Sequence, residues 1–568
     1  MIAVEGKLRR LVLLEKWNLA ALGLILVGVC LRLMLLKQHW PWTDSDEGVF
    51  GLMARHIAYQ GERPTFMYGS FYMGPLQAYL GAAFFHLFGS SLLALRLGLV
   101  MLFALFLVAL YLLTRTLYTP GLSLLTLALL SLGSPYMLTY QLRSYGGYLE
   151  ILLCGTLALL IATWLALSTS TSPTLSWRRL LLRLGGYLAW GIVVGLGLWS
   201  DMLILPLMGL SGLLIVLFCW RELVLVLPVF CMLGGLALGM WPLLAYNLHA
   251  PPGLDTLSAV AVQQQGPVPL HYTPALVWQQ IKATIQLSLP TISGNPFCPV
   301  SEVPVLRDPT SAPTLACRLI HLGWGTGYLL LFLAALGLAG WDLWRLGRRS
   351  RLEGKADQQA DLVRASARLL LLITAAITLA LFIHSLAPLK WPSLHGRYLI
   401  IFWVALPAIL WPLWQGTRAT WSFLPRLRQP GRALCLALLL LLLLFYGLGT
   451  AQAFGETSTA QLYYQQDMAF VHRLEELGVS HFYSDYWTCY KVAFLSQERL
   501  TCGVVNQQLQ PGYIRYWPYY WAAHADRHAA YVLPRGDYEA ALQALMAQKS
   551  RRYHLTLYGD YFIVQPAG

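Results

Sequence analysis

Long apolar stretches separated by short polar breaks run through most of the chain, from Trp17 to about Ala451. Because a bilayer span needs about 20 mainly apolar residues, this pattern predicts about eleven transmembrane helices. A helix satisfies all of its backbone hydrogen bonds internally, as a lipid environment requires. The predicted spans are residues 17–36, 92–113, 120–140, 147–168, 184–200, 202–219, 223–246, 322–344, 368–387, 398–416 and 433–451.

Residues 75–90 are also apolar, and counting them as a span would reverse the side of every later segment. With 75–90 kept on the outside, the basic breaks between spans all fall in the cytoplasm, which is the positive-inside pattern. The odd number of spans then places the N-terminus inside and the C-terminal segment outside. The basic residues concerned are Lys7, Arg9, Arg10, Lys16, Arg115, Arg178, Arg179, Arg183, Arg221 and those within 345–368 and 418–432.

Composition agrees with this membrane topology. The 568 residues are 57% hydrophobic and only 12% charged, which argues against a water-soluble fold. The net charge of +14 arises from 40 basic and 26 acidic residues, and the basic ones concentrate in cytoplasmic loops, so no nucleic-acid partner is expected. The first apolar run is a full-length span without a cleavage site, so no removable signal peptide is predicted. We therefore expect a multi-pass protein of the inner or plasma membrane.

Three polar regions interrupt the spans, and all three are predicted outside: 37–91, 247–321 and the tail from about 452. We expect residues 1–451 to form a mainly α transmembrane bundle and residues 452–568 to form a small extracytoplasmic α/β domain. In this tail, helical and strand patterns alternate. The predicted helices are 467–477, 487–495 and 538–549, and the predicted strands are 481–483, 530–533 and a hairpin within 555–564.

Four of the nine cysteines fall in the predicted outside regions. Cys298 and Cys317 share one loop, and Cys489 and Cys502 share the tail. An oxidising compartment would allow two local disulfides, although the sequence alone permits three pairings. The other five cysteines lie within or at the ends of spans, where small buried hydrophobic side chains are the ordinary interpretation.

Three carboxylates follow the first span and begin an apparent helix with an apolar stripe: Asp44, Asp46 and Glu47. Asp44 as N-cap with Glu47 three residues later resembles a capping box, which explains two of the three. Asp46 is left over. A carboxylate at this position suits a general base, or a ligand of a divalent cation that neutralises a phosphate leaving group.

Aromatic residues in the same loop admit two interpretations. Tyr68 and Tyr72 lie in a glycine-rich stretch that returns to the membrane, 67–76. Their faces can stack on sugar rings, which makes them candidates for substrate binding. The commoner use of aromatic side chains at this depth is the interfacial belt.

Two further clusters place charge at predicted outside ends of spans. Glu150 enters an apolar span, which is costly and points to function, with Arg143 or a metal ion as its partner. A structural ion pair between Arg143 and Glu150 is the alternative. Lys390, His395 and Arg397 break the positive-inside rule, so they either anchor anionic lipid or grip the phosphate of a lipid-linked donor.

An Asp-Glu pair directly after the first span, Asp46-Glu47, followed by an aromatic Gly-Pro-Leu return to the membrane, resembles the GT-C membrane glycosyltransferases of the protein O-mannosyltransferase and aminoarabinose-transferase superfamily. In that resemblance Glu150 takes the second acidic position. His395-Gly396-Arg397-Tyr398 takes the late basic-aromatic motif, which adds Tyr398 as a substrate-binding candidate.

The resemblance implies inverting transfer of a sugar from a polyprenyl-phosphate donor to an extracytoplasmic acceptor, which is a glycan, a lipid or a protein. Asp46 would act on the acceptor hydroxyl with support from Glu47. Arg143, Lys390, His395 and Arg397 would bind the donor phosphate, and Asp46 with Glu150 would hold a divalent metal cation. The alternatives are a transporter or flippase of lipid-linked glycan, whose buried charges line a path, and a non-catalytic membrane scaffold.

Overall fold

A computed structural model describes residues 15–169, 176–265, 272–298, 315–353, 356–418, 428–547 and 553–567. Some residues on which the sequence predictions rest lie outside these described ranges. They are Lys7, Arg9, Arg10, the last two residues of the predicted 538–549 helix, and parts of the basic stretches 345–368 and 418–432.

Eight described helices are long and apolar enough to cross a membrane, and two bent helix pairs bring the number to ten. The chain is therefore a multi-pass helical membrane protein, as predicted. Each of the eleven predicted spans coincides with a described helix or bent pair. The span predicted at 398–416 is the helix Ile401–Gly416, whose 16 residues fall short of the spanning length, so the described helices give at most ten spans where eleven were predicted. The apolar stretch 75–90 forms the helix Leu76–Phe88, whose 13 residues are too few to span.

The chain divides into two compact units. Unit 1 comprises Met1–Leu33, Met101–Gln141 and Tyr148–Phe454, and unit 2 comprises Met34–Val100, Leu142–Gly147 and Gly455–Gly568. Unit 2 thus contains the loop that follows the first span, 37–91, as well as the tail. The predicted domain boundary at residue 451, like the sidedness of the termini, stays a prediction.

The α-helices follow one another along the chain. Their bounds from the first span to the end of the last are Lys16–Lys37, Ser45–Arg55, Leu76–Phe88, Leu92–Leu117, Pro120–Ser131, Pro135–Leu142, Tyr148–Leu167, Trp177–Ser200, Leu205–Leu223, Leu227–Gly239, Trp241–Asn247, Thr256–Gln265, Pro274–Ala283, Leu289–Ile292, Leu315–Glu353, Ala356–Ile383, Ala387–Lys390, Ile401–Gly416 and Arg428–Gly455. The tail helices are Thr457–Glu476, Tyr486–Leu495, Trp517–Ala525 and Glu539–Met546.

Two helices of unit 1 pack backbone to backbone through glycines spaced four residues apart. Gly191 and Gly195 lie on Trp177–Ser200, and Gly235 and Gly239 lie on the partner helix Leu227–Gly239. A Cβ atom at any of the four would collide with a backbone carbonyl oxygen of the other helix. Because lipid provides no hydrophobic drive between helices, this close van der Waals packing is what holds the pair together.

Unit 2 contains a five-stranded sheet in the order β2-β1-β3-β5-β4. Strands β2, β1 and β3 are parallel, and β3, β5 and β4 are antiparallel. The sequence predicts every strand except β2, and every tail helix except Trp517–Ala525. The small α/β fold of the tail is confirmed. The strands are β1 His481–Ser484, β2 Thr501–Val504, β3 Ala530–Pro534, β4 Tyr553–Tyr558 and β5 Tyr561–Pro566.

One hydrophobic core joins the loop that follows the first span to this sheet. Phe50 and Met53 of the loop are buried in the same cluster as Phe482 and Phe494 of the tail. The loop and the tail, which are more than 400 residues apart in sequence, therefore fold as one body. This shared core is what positions the candidate site.

Both predicted disulfides are present. Cys298 is bonded to Cys317, and Cys489 is bonded to Cys502. The structure thus selects the local pairing among the three that the sequence allows. The second bond ties the helix Tyr486–Leu495 to strand β2.

Candidate functional site

The predicted helix of the first loop is Ser45–Arg55, which we call the acidic helix. Asp44 is its N-cap, as predicted, and its Oδ1 accepts a hydrogen bond from the Glu47 backbone N–H at 3.0 Å. Glu47 does not complete the expected capping box, because its side chain points to an arginine of another helix. The three carboxylates therefore have three different environments.

Each of these carboxylates has its own arginine within unit 2. Arg143 Nη1 lies 3.0 Å from Asp44, and Arg96 Nη2 lies 2.6 Å from Glu47. Arg515 Nη2 lies 3.8 Å from Oδ1 of Asp46.

Glu47 is completely buried, at 0% side-chain exposure. Its two oxygens accept from Nε and Nη2 of Arg96 at 2.9 and 2.6 Å, and Oε1 also accepts from the Ser144 backbone N–H at 3.3 Å. A bidentate pair with this geometry fixes orientation as well as charge. The arrangement joins the acidic helix to the helix Leu92–Leu117 and to the loop at 142–147.

Asp46 is partly exposed, with 19% of its side chain accessible. Its Oδ1 accepts a hydrogen bond from the Tyr486 hydroxyl. No group in the described part of the chain donates a hydrogen bond to Oδ2. Both oxygens of Asp44, in contrast, are occupied by the Glu47 N–H and Arg143. Asp46 is thus the carboxylate of the acidic helix with one oxygen fixed and the other open.

The pKa shifts of Asp44, Tyr486 and Arg515 follow from these environments. Burial raises the pKa of Asp44 to about 6, while Arg143 opposes the change. Burial, and then the Asp46 charge, raises the pKa of Tyr486, so its hydroxyl keeps the proton that it donates. Burial disfavours the charge on Arg515, but Tyr486, Tyr513 and Asp46 outweigh that effect and raise its pKa. The site therefore contains a protonated phenol and a permanent cation beside Asp46.

Tyr486 and Arg515 are site residues that sequence reasoning missed. Tyr486 begins the helix Tyr486–Leu495, which we call the tyrosine helix and which Asp485 caps through the Trp487 N–H at 2.9 Å. Arg515 follows in a loop, where its backbone N–H donates to the Tyr490 hydroxyl at 2.6 Å. Neither residue has a local signature. Arg96 does have one, because it is a charge inside a predicted span.

Close helix packing sets the position of Tyr486 over Asp46. A Cβ atom at Gly48 of the acidic helix would lie 2.5 Å from the Tyr490 carbonyl oxygen, and one at Gly51 would lie 2.5 Å from the Phe494 ring. The Ser45 hydroxyl also donates to the Tyr486 carbonyl oxygen at 2.5 Å. The two helices can therefore approach only because the sequence supplies glycine at these points.

Tyr68, predicted to bind substrate, belongs to a separate polar cluster around His56. The His56 ring nitrogens lie 2.7 Å from the Tyr68 hydroxyl and 2.8 Å from Oε1 of Glu498. Tyr68 donates to Glu62, and Tyr519 donates to Glu498 at 2.6 Å. The Tyr68 hydroxyl is thus engaged within the protein.

This cluster contains a strongly stabilised carboxylate. Burial acts against the charge on Glu498, but hydrogen bonds from His56, Tyr519 and Arg55 outweigh it and lower the pKa of Glu498 to about 2. Arg55 Nε donates to its Oε2 at 2.9 Å. Tyr72, the other predicted aromatic contact, packs against the hydrophobic core of unit 2.

The late basic-aromatic motif lies in unit 1. His395 stacks on Tyr398 with ring centroids 5.2 Å apart, and its Nδ1 lies 3.2 Å from the Ala387 carbonyl oxygen. Arg397 is buried against the Tyr398 ring at 5.8 Å. Burial, reinforced by Arg397 and Lys390, lowers the pKa of His395 to about 4. His395 is therefore neutral near pH 7, so its charge does not add to this basic motif.

Glu150 is buried in the first turn of the helix Tyr148–Leu167, in unit 1. The Tyr148 ring beside it contacts both Arg397 and Tyr398. Arg143 lies in unit 2, where its described ion pair is with Asp44. The structure thus places Asp46, Glu47, Arg143, Tyr68 and Tyr72 in unit 2, and Glu150, Lys390, His395, Arg397 and Tyr398 in unit 1.

The carboxylates do not form a metal site in the part of the chain that the structure describes. No group of three or more His, Cys, Asp or Glu side chains there could hold a metal ion. Asp46 and Glu150, the predicted ligands, belong to different units. Arg515 beside Asp46 would also repel a divalent cation. Metal binding stays a prediction, and we assign no chemical step to a metal.

The fold is similar to that of ArnT from Cupriavidus metallidurans. Its crystal structure bound to undecaprenyl phosphate matches with a TM-score of 0.53 and 13% identity, covering 96% of this chain and 97% of that one. The apo structure gives 0.52 and 14%, covering 96% and 98%. A crystal structure of the Archaeoglobus fulgidus oligosaccharyltransferase in the apo form gives 0.46 and 13%, covering 92% and 70%.

Comparison of the sequence with family models and with curated proteins found no match. The near-complete mutual coverage with ArnT shows that this chain has the same fold over both of its units. The GT-C resemblance predicted from Asp46-Glu47 and the aromatic return is therefore confirmed at the level of the fold.

Proposed function

We propose that this protein is a membrane glycosyltransferase that moves a sugar from a polyprenyl-phosphate donor to a hydroxyl group of an acceptor on the extracytoplasmic face. The fold supports this proposal, because the similar ArnT structure is one that binds undecaprenyl phosphate. The two disulfides support an oxidising compartment for the outside regions. The membrane is then the inner or plasma membrane.

The observation that carries the proposal is the geometry of Asp46. Tyr486 and Arg515 hold Oδ1, while Oδ2 is open in the described structure. A general base needs this combination, because it must be oriented and must also reach the proton that it removes. Glu47, sealed in its pair with Arg96, serves instead to position the acidic helix.

The proposed reaction is a single inverting displacement. Oδ2 of Asp46 takes the proton of the acceptor hydroxyl as the acceptor oxygen forms a bond to the anomeric carbon. The bond from that carbon to the phosphate oxygen breaks, and its electron pair leaves with the lipid phosphate. Lys390 and Arg397 stay the predicted ligands of a lipid phosphate, and Arg143 is less suited to that role because it already neutralises Asp44.

The test uses the full-length protein reconstituted in lipid nanodiscs with a panel of labelled undecaprenyl-phosphate sugars and a membrane extract that supplies acceptors. Asp46→Asn should lower kcat by about a hundredfold or more while leaving the unfolding temperature unchanged. Asp537→Asn, an exposed carboxylate of the same unit, is the matched control and should retain full activity. Equal activity in the two variants, or no turnover of any donor by the wild-type protein, would refute the proposal.

A further inference from the structure

Two large aromatic rings are exposed beside the Asp46 site. Trp487 is 58% exposed and Tyr513 is 56% exposed. Both contact the ring of Tyr486, at centroid distances of 5.1 and 5.3 Å. Aromatic side chains are usually buried in cores or interfaces. Two solvent-exposed rings next to a candidate base therefore indicate a binding site.

The Tyr513 ring is held from one side. The Arg515 guanidinium carbon lies 4.5 Å from its centroid, and the Arg515 side chain is itself only 13% exposed. Arg515 therefore fixes the orientation of Tyr513 and also lies next to Asp46.

The site thus combines apolar faces with a few placed polar groups. Trp487 and Tyr513 supply the faces, and Asp46, Arg515 and the Tyr486 hydroxyl supply an acceptor, a cation and a phenol. Small-molecule sites with specificity are built in this way. A sugar ring has the matching chemistry, since its C–H faces are apolar and its hydroxyl groups lie around the edge.

The chemistry of the displacement determines which substrate these rings meet. In the transition state the base, the acceptor oxygen and the anomeric carbon follow one another in that order. The groups immediately around the base therefore touch the acceptor, and the donor lies beyond the acceptor oxygen. The exposed rings belong to the acceptor side.

We propose that Trp487 and Tyr513 form an acceptor platform on which a sugar ring of the acceptor stacks, so that the acceptor is a carbohydrate. This inference rests on the proposed function and narrows its acceptor from glycan, lipid or protein to a glycan-bearing molecule. A lipid chain would gain nothing from the charges of Asp46 and Arg515, which flank the platform.

Binding can be tested without turnover. The full-length Asp46→Asn protein in nanodiscs is applied to an array of immobilised bacterial glycans, peptides and phospholipid vesicles. The platform variant adds Trp487→Ala and Tyr513→Ala to the same background. The matched control adds Trp521→Ala, which removes a ring that is also 56% exposed and contacts Trp517, Tyr520 and His524.

We expect the Asp46→Asn protein and the Trp521→Ala control to bind a subset of the glycans with equal affinity, and the platform variant to bind them about tenfold or more weakly. Binding to peptides or vesicles alone would overturn the inference, as would equal glycan binding by the platform variant. If the glycan-binding test fails but the wild-type protein transfers sugar, only the acceptor platform is refuted. Failure of Asp46→Asn to lower activity refutes the proposed function itself.

Discussion

The Tyr486 hydroxyl donates a hydrogen bond to Oδ1 of Asp46, although the two residues lie 440 positions apart in the chain. The bond links the tyrosine helix of the tail to the acidic helix of the first loop. It turns a carboxylate at a helix N-terminus into one with a fixed orientation. Catalytic bases need such orientation, because misplacement of a reacting group by about 1 Å is costly.

Tyr486→Phe removes this hydrogen bond and keeps the ring. We expect kcat to fall about tenfold with KM unchanged, since about 1.4 kcal/mol of transition-state orientation is lost. Tyr463→Phe, on the exposed side of the helix Thr457–Glu476, is the control and should have no effect. If Tyr486→Phe lowers the unfolding temperature as well as the activity, the hydroxyl has a structural role instead.

Glu47→Gln leaves Arg96 charged, buried and without its carboxylate. Breaking a buried pair by removing one partner costs about 3–5 kcal/mol, so we expect a clear drop in the unfolding temperature of the detergent-solubilised protein. Replacing both residues, by Glu47→Leu with Arg96→Met, should recover part of the loss. If the single variant unfolds like the wild-type protein, the pair does not anchor the acidic helix.

The lowered pKa of Glu498 predicts a pH dependence of stability. Its pKa falls from an ordinary value of about 4.3 to about 2 in the fold. The stabilisation is therefore complete above pH 5 and is lost as the pH falls through the folded value. The difference in unfolding temperature between wild type and Glu498→Gln should stay constant from pH 6 to pH 5 and then shrink as the pH falls to 2. A difference that stays constant down to pH 2 would contradict the prediction.

Gly195→Ala tests the close packing in unit 1. Its new Cβ would collide with the Leu236 carbonyl oxygen, so we expect a loss of about 1–3 kcal/mol in stability. Gly185→Ala is the same change on the same helix, where a Cβ meets nothing within 4 Å. It should stabilise the protein by up to about 1 kcal/mol through helix propensity. Equal effects of the two changes would contradict close packing.

Several elements were predictable because their signals are local. Span length and hydropathy identified the helices, and Asp44 followed by Glu47 identified the start of the acidic helix. In the tail, alternation predicted β1, β3 and the β4–β5 hairpin. Strand β2, only four residues with Gly503 inside it, gave no such alternation.

The candidate site was only partly predictable. Asp46 could be singled out from its loop, but its partners Tyr486 and Arg515 could not, since nothing near them in sequence marks them. Arg96, a charge within a predicted span, had a signal that the sequence interpretation did not use. The partner itself, Glu47, was interpreted from its local spacing as part of a capping box.

The sequence by itself determined the membrane class, the positions of the spans, the acidic helix and the cysteines available for pairing, because period, length and composition act over short distances. Only the tertiary structure decided which oxygen of which carboxylate is open. That depends on glycines that let the acidic helix and the tyrosine helix touch, and on a core shared by residues from opposite ends of the chain. Long-range contacts of this kind leave no periodic trace in the sequence.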